Sequence, residues 1–400
     1  MKLSFVGRIT AVVLLAVFLT SCGGSSSSGG NENPVIPKSN LAKRVLVTNT
    51  FFGAAQIVDA TTDTISSFIV VKTDGTRPTF GTLTKLYPVT NKTFMLDEST
   101  NSVYMVHNAT EQLTAGATFG GTIAGFVATP DARYIYAAIP GAGKIQWIDL
   151  TATTLALSDI AMPGIRRMVV TGNGSHVLAF GDDTTNVRVI KVSDNRVTTV
   201  GGFDRPYSAV VSSDNTKAYV FNCGSQCGGG QPRVSILDLM TNTVTGNVNV
   251  GGATTGVIEG STLYVVGSPG ISSSSANGGT IDVINLTTFT RTGGANISDG
   301  IHEQIVVAPN SKIYIGARAC TQIVSATVNK GCLSMYNTST GAVTIGGPLG
   351  DVTGLTTVSG RNVVYTVQNG NAYIYDTATD TLQSKQLDFT GKVTDVKELK

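Results

Sequence analysis

The residues that could do chemistry are few, and most stand just before short apolar segments. His302 is followed by Glu303, and such a neighbouring pair could act as base and acid because histidine titrates near neutral pH. Arg205 precedes another of these segments and completes a set of candidate catalytic residues. The alternative is that all three only satisfy backbone groups where their segments begin.

A second set of residues could bind an anion, because guanidinium groups recognise carboxylates through paired hydrogen bonds. Arginines and acids recur at these same positions, and Arg167 and Asp204 stand beside members of the set. A carboxylate or a sugar acid is the ligand that this chemistry favours. The candidate binding residues are Arg77, Arg166, Arg205, His302 and Asp351.

The usual motifs of metal and nucleotide chemistry are absent from the sequence. There is no HExxH, GxSxG, glycine-rich phosphate loop or EF-hand pattern, and only 3 histidines occur in 400 residues. We therefore expect neither a metal nor a cofactor. The formal net charge is +2 and no basic stripe is present, so a nucleic-acid partner is not expected.

The N-terminus reads as an export signal. Lys2 and Arg8 precede an apolar run over residues 9–19, which is too short to span a bilayer as a helix. The motif LTSC at 19–22 follows and resembles the lipobox of bacterial lipoprotein precursors. That resemblance implies cleavage after residue 21, a diacylglycerol on Cys22, and delivery to the outer membrane because Gly23 is not aspartate. The alternative is an ordinary signal peptide followed by a buried or disulfide-bonded cysteine.

The next residues form a tether. Residues 22–43 begin with GGSSSSGG after the cysteine and show no strong periodicity, and chains of this composition behave as flexible coil. We expect them to hold residues 44–400 near a membrane, on its periplasmic side or at the cell surface.

Four further cysteines should form two local disulfides, because export leads to a compartment where disulfides persist. Cys223 and Cys227 share one glycine-rich loop, and Cys320 and Cys332 bracket another. Each of these pairings would close a single hairpin loop. The CxxxC spacing leaves a metal site or a redox pair as alternatives.

An internal repeat dominates the rest of the chain. A short β-rich segment, such as RYIY at 133–136 or KAYV at 217–220, recurs eight times at intervals of 41 to 50 residues. Each is followed by a second strand, and in six of the eight repeats a terminal Asp or Asn should open a tight turn, whereas His107 and Lys191 stand there in the other two. A third strand and a fourth complete the unit, and the last is a small-apolar run expected to be buried on both faces nearest the axis. This period is typical of β-propeller blades.

The repeat resembles the YVTN family of β-propellers. YVFN at 219–222 and DTATDT at 376–381 match its strand and turn phrases, and TPDA at 129–132 is a degenerate form of its last turn. The resemblance implies an all-β fold, a single β-propeller of four-stranded blades over residues 44–400. We expect eight blades, with seven as the alternative, and closure by pairing of the C-terminal strand with the N-terminal blade.

Three neighbouring repeats carry insertions between their first two segments, at 223–231, 268–279 and 317–331. These loops should share one face with the candidate residues, because antiparallel strands return to the same side. Binding loops on a rigid scaffold are common, although decoration without function is the alternative. We therefore expect a binding module for protein, glycan or cell-wall material. A lactonase-like or other hydrolytic enzyme and a structural envelope component are the alternatives.

Overall fold

Short antiparallel strands make up nearly all of the regular structure. The computed structural model of the protein describes residues 38–50, 55–182, 184–269, 278–324, 329–384 and 386–400. Two short 3₁₀ helices, Pro140–Ala142 and Gly224–Cys227, interrupt the strands. Within these ranges no helix is both long and apolar enough to cross a bilayer. The predicted signal peptide, Cys22 and most of the predicted tether lie outside the described residues.

The strands form eight successive blades, seven sheets of four strands and one of five, because a short strand over residues 71–72 joins the outer edge of blade 2. Blade 1 contains β1 (Arg44–Asn49), β2 (Ala55–Asp59) and β3 (Thr64–Ile69), followed by the short β4 (Val71–Lys72). Blade 2 contains β5 (Leu83–Val89), β6 (Lys92–Asp97), β7 (Ser102–His107) and β8 (Gln112–Thr118). Blade 3 contains β9 (Gly125–Ala128), β10 (Tyr134–Ile139), β11 (Lys144–Asp149) and β12 (Ser158–Ala161). Blade 4 contains β13 (Ile165–Val170), β14 (His176–Gly181), β15 (Asn186–Lys191) and β16 (Arg196–Gly201).

The second half of the chain continues the pattern, with a small extra hairpin in blade 7. Blades 5 and 6 contain β17 (Pro206–Val211), β18 (Lys217–Asn222), β19 (Arg233–Asp238), β20 (Thr243–Asn249), β21 (Thr255–Glu259), β22 (Thr262–Gly267), β23 (Gly279–Asn285) and β24 (Thr290–Ile297). Blade 7 contains β25 (Ile301–Ala308), β26 (Lys312–Arg318), β29 (Leu333–Asn337) and β30 (Val343–Gly346), and the extra hairpin consists of β27 (Ile323–Val324) and β28 (Asn329–Lys330). Blade 8 contains β31 (Val352–Thr357), β32 (Val363–Gln368), β33 (Asn371–Asp376) and β34 (Thr381–Leu382). The last strand of the chain is β35 (Val393–Leu399).

The ring is closed by its C-terminal strand. β35 pairs antiparallel with β1, with Val45 opposite Glu398 and Val47 opposite Val396, and so becomes the innermost strand of blade 1. The prediction of eight blades closed in this way is confirmed. Pairing with β35 covers the inner backbone edge of β1, which would otherwise be a template for aggregation.

The core consists of eight separate apolar clusters, one between each pair of adjacent blades. For example, Phe180 of blade 4 packs with Val220 of blade 5, and Leu46 of blade 1 packs with Met95 of blade 2. The cluster between blades 8 and 1 contains Tyr365, so the closing interface is packed like the others. Each blade is therefore stabilised by both of its neighbours.

The second strand of each blade is its most buried element. β18 is buried at every position except Lys217, and β32 is buried along its whole length. Five of the eight innermost strands, such as β17, are partly exposed at most positions, whereas β9 is buried throughout. The expectation that the innermost strand would be buried on both faces is therefore wrong for most blades, because these strands border an open axial channel.

The turn residues behave as the repeat predicts. The side-chain oxygens of Asp149 and Asp238 accept the backbone N–H two residues on, from Thr151 at 2.9 Å and Met240 at 2.9 Å. The corresponding turns at Asp59, Asn285, Asn337 and Asp376 contain the same hydrogen bond. These residues set the hairpins on the face of the ring that we call the lower face, opposite the face where the inner strands begin, which we call the mouth face.

The described chain begins at the lower face. Ser39 donates its backbone N–H to Glu111, at 2.8 Å, in the turn between β7 and β8. Arg44, which opens β1, forms an ion pair with the same carboxylate at 2.8 Å. Residues 38–44 are thus fixed on the side of the ring opposite the mouth face.

Candidate functional site at the channel mouth

A funnel of about 760 Å³ opens on the mouth face along the axis of the ring. All eight innermost strands, or the residues directly before them, contribute to its wall. Such a volume lies within the usual range for small-molecule sites. The funnel exists because each inner strand pairs with its blade along one edge only, and within the described residues no strand fills the space between the eight unpaired edges.

A chain of polar contacts crosses one side of the funnel, from blade 4 to blade 7. The Arg167 guanidinium donates to Asp182 at 2.6 Å and lies 3.8 Å from the centre of the Tyr207 ring. The Tyr207 hydroxyl donates to Glu303 at 2.9 Å, and Glu303 in turn pairs with Arg318 at 2.5 Å. Burial and the nearby carboxylate raise the pKa of Tyr207, so this hydroxyl remains a donor at neutral pH.

The polar chain passes blade 6, because the innermost residues there are small. Thr254 and Thr255 are the funnel-lining residues of that blade. Tyr207 of blade 5 can therefore reach Glu303 of blade 7 across them.

Lys85 is the cation that this network leaves unpaired. It comes from β5, lines the funnel, and is exposed to the channel while being surrounded by protein. That enclosure lowers its pKa, which Glu303 and Asp395 oppose and Lys397 and Arg318 reinforce. Among the residues that the structure describes, no carboxylate lies within ion-pair distance of its ammonium group.

Four of the residues named from the sequence line the funnel or its rim. Arg166 pairs with Asp182 at 2.5 Å and its side chain remains half exposed. Glu303 and Asp351 also line the funnel, and Asp351 accepts the Ala319 N–H at 2.8 Å. Arg167, the neighbour of Arg166, belongs to the polar chain described above. The structure thus brings these residues together around one opening.

Arg77 and His302 do not line the funnel. Arg77 is exposed in the loop between β4 and β5. The His302 side chain is completely buried, and its Nε2 donates to the Ser298 carbonyl at 2.9 Å. Burial lowers the pKa of His302 to about 4, so the ring is neutral at physiological pH. His302 and Glu303 therefore face different surroundings and form no acid–base pair with each other.

Arg205 lines a smaller pocket of about 210 Å³ beside the funnel. Arg167, Asp182 and Tyr207 line it as well, together with both cysteines of the Cys223–Cys227 disulfide. The carboxylate of Asp204 accepts the Gly230 N–H at 2.8 Å and so helps to fix the loop that contains this disulfide.

Both predicted disulfides are present, and each braces an inserted loop of the mouth face. Cys223 and Cys227 are joined with Cα atoms 5.7 Å apart, and Cys320 and Cys332 with Cα atoms 5.6 Å apart. The described part of the 268–279 insertion comprises residues 268, 269, 278 and 279, and residues 270–277 lie outside the described ranges.

The three inserted loops are bonded into one rim. Gln226 of blade 5 accepts the Ser268 N–H of blade 6 at 2.9 Å and donates to the Gly300 carbonyl at 3.0 Å. In blade 7, Thr321 donates its N–H to Asp299 at 2.6 Å. The predicted grouping of these loops on one side of the mouth face is confirmed by these contacts.

Sequence reasoning missed Lys85, Tyr207 and Arg318. It considered residues that precede the inner strands, whereas Lys85 and Tyr207 lie within β5 and β17. A usable signal existed, because a lysine inside an otherwise apolar inner strand has only the channel to enter. Arg318 ends β26, and its partnership with Glu303 depends on register that the sequence does not reveal.

Among the described His, Cys, Asp and Glu residues, no group of three or more is placed to hold a metal ion. No protein-family model and no curated protein sequence matches the chain, so membership in the YVTN family stays a prediction.

Several solved structures have a similar fold. The chain is similar to dihydro-haem d1 dehydrogenase NirN in complex with DHE, with a TM-score of 0.66 and 11% identity over 89% of this chain and 75% of that one. It is also similar to hydrazine synthase of Kuenenia stuttgartiensis, with a TM-score of 0.52 and 14% identity over 70% and 93%. A third similar structure is a functionally unknown protein of Desulfotomaculum acetoxidans, with a TM-score of 0.51 and 12% identity over 88% of this chain and 98% of that one. At such identities the likeness shows the fold alone, and the chain is a β-propeller.

Proposed function

We propose that this protein is a binding module of the cell envelope that takes a ligand into the funnel on its mouth face. The observation that carries this proposal is the funnel itself, about 760 Å³ of open space lined by polar and apolar residues from every blade. A rigid ring with a concave, partly apolar opening is the usual form of a small-molecule site.

The inserted loops also favour the mouth face as the binding surface. They are braced by two disulfides and joined to one another by hydrogen bonds, so they form a fixed wall beside the opening. A fixed wall loses little conformational entropy when a ligand binds. Binding is favoured over catalysis because Glu303, Tyr207 and Arg318 already bond to one another, and buried His302 lies away from the funnel.

Attachment through an acylated Cys22 is the second part of the proposal. The support is the LTSC motif together with the position of residues 38–44 on the lower face. A tether that starts from the lower face would leave the funnel facing away from the membrane. Labelling of cells with an alkyne palmitate analogue should tag the full chain, and tagging of a Cys22→Ser variant to the same extent would refute the anchor.

The binding proposal can be tested by a substitution that fills the funnel with a bulky side chain. Thr255 lines the funnel, and Thr290 is exposed on the outer strand of the same blade. We expect some member of a panel of sugars, sugar acids, carboxylic acids and lactones to raise the melting temperature of the full chain by a few degrees at about a hundred times its Kd. The Thr255→Trp variant should lose that shift and Thr290→Trp should keep it. If no compound shifts the wild type, or if Thr255→Trp responds equally, binding in the funnel is refuted.

A further inference from the structure

We infer that the ligand of the funnel is a monocarboxylate with an apolar body, and that Lys85 receives its carboxylate. This inference rests on the proposed binding function and adds to it the chemical class of the ligand and the residue that selects for it. Lys85 was not among the candidates suggested by the sequence, and it emerges from the charge distribution inside the ring.

The charges around Lys85 leave one positive charge without a partner. Glu303 is occupied by Arg318 at 2.5 Å and by the Tyr207 hydroxyl at 2.9 Å. Asp395 is occupied by Lys397 at 3.1 Å and accepts the Leu86 N–H at 2.8 Å. Both carboxylates that attract Lys85 are thus already engaged.

The outer rim does not supply a counter-charge either. Arg166 and Lys392 are balanced in number by Glu98 and Asp351, although Lys392 forms no ion pair among the described residues. An anionic group that enters the funnel would therefore find the net excess of positive charge at the enclosed Lys85. Attraction between such charges is much stronger in a protein-walled channel than in bulk water.

The wall beside Lys85 is apolar. Tyr87 and Pro88, in the strand that carries Lys85, line the funnel and are partly exposed, and the nearly buried Leu96, Ile123, Phe126 and Met168 of blades 2 to 4 border it. Tyr87 lies in the same strand, with its ring 5.8 Å from that of Phe126. A ligand held by its carboxylate at Lys85 can lay an apolar or aromatic body against this wall, which favours benzoate-like acids over sugar acids.

Protonation of Lys85 provides a readout that does not depend on a variant. Enclosure lowers the pKa of the free amine, and a bound carboxylate would raise it again by supplying the missing counter-charge. Binding above the pKa of the free amine must then be accompanied by proton uptake. A neutral analogue that binds through its body alone would take up no proton.

The experiment is calorimetric titration of the full chain with benzoate, cyclohexanecarboxylate, glucuronate and the neutral benzamide. We expect benzoate and cyclohexanecarboxylate to bind more tightly than the other two, with proton uptake that shows as a dependence of the enthalpy on buffer ionisation. Lys85→Met should weaken benzoate roughly ten- to hundred-fold, the usual effect of losing a charged hydrogen bond. The matched control, Lys217→Met, removes an exposed lysine at the start of β18 and should bind as the wild type does.

The outcomes separate this inference from the proposed function. If benzamide or glucuronate binds as well as benzoate and Thr255→Trp abolishes that binding, the funnel is a site but the ligand class is refuted. If benzoate binds without proton uptake at every pH between about 7 and 10, or if Lys85→Met binds it unchanged, the role of Lys85 is refuted. If none of the four probes binds the wild type, the inference fails whatever other compounds stabilise the protein.

Discussion

At the scale of single residues, the fate of His302 shows why neighbours in sequence are poor guides to a site on a strand. Successive residues of a strand point to opposite faces, so His302 and Glu303 could not both enter the channel. The register between β25 and β26 shifts between His302 and Gln304, which accompanies the turn of Glu303 towards the axis. The residue types were right for a polar funnel, but only the register decides which of them reach it.

The buried His302 should make stability depend on pH. Its pKa is about 4 in the folded protein and 6.5 in an unfolded chain, so between these values the unfolded state binds more protons. The free energy of unfolding should therefore fall as the pH falls from 6.5 to 4 and show no contribution from His302 above 7. Urea unfolding of wild type and His302→Gln at several pH values checks this. His107→Gln, which alters the half-buried His107 at the end of β7, is the control, and an unchanged slope in His302→Gln would contradict the assignment.

At the scale of elements, the hairpin turns could be predicted and the inner strands only in part. Asp or Asn ends the third strand in six of the eight blades, and its side chain accepts the backbone N–H two residues further on, which specifies a tight turn. The structure confirms the inner strands of all eight blades. Their burial was mispredicted because a small-apolar run is compatible with both a buried strand and a strand that borders a channel. The short parallel pairing of β4 with β8 has no signal in the sequence that we can identify.

The two disulfides should contribute unequally to stability. The loop closed by Cys320 and Cys332 spans 12 residues in sequence separation and that closed by Cys223 and Cys227 spans 4. Because a longer loop loses more entropy when it is closed, replacing the first pair by serines should cost about 3 kcal/mol and replacing the second about 2 kcal/mol. Urea unfolding of the two double variants, each against wild type, measures this order. A larger loss from the Cys223–Cys227 pair would show that loop entropy does not dominate.

At the scale of the whole molecule, the ring depends on joining its two ends. The repeat period predicted blades, and the phase of the first and last strands predicted that β35 would complete blade 1. The side-chain contacts between blades 8 and 1 could not be predicted from the sequence. Arg361 and Tyr365 of blade 8 both donate hydrogen bonds to Asp63, in the turn between β2 and β3 of blade 1. Their sequence separation is near 300 residues, and only closure brings them together.

Removing β35 should therefore unfold more than one strand. A chain that ends at residue 391 lacks Val393 and Val396, both buried in the cluster between blades 8 and 1, and exposes the backbone edge of β1. Because every blade is held by two neighbours, loss of this interface leaves blades 1 and 8 with one each. We expect the truncated chain to aggregate or to melt at least ten degrees lower, whereas deletion of Lys400 alone, which lies beyond the strand, should change the melting temperature by less than about two degrees. Light scattering and circular dichroism on both chains decide this. A truncated chain that stays monomeric with an unchanged melting temperature would show that the ring is stable without closure by β35.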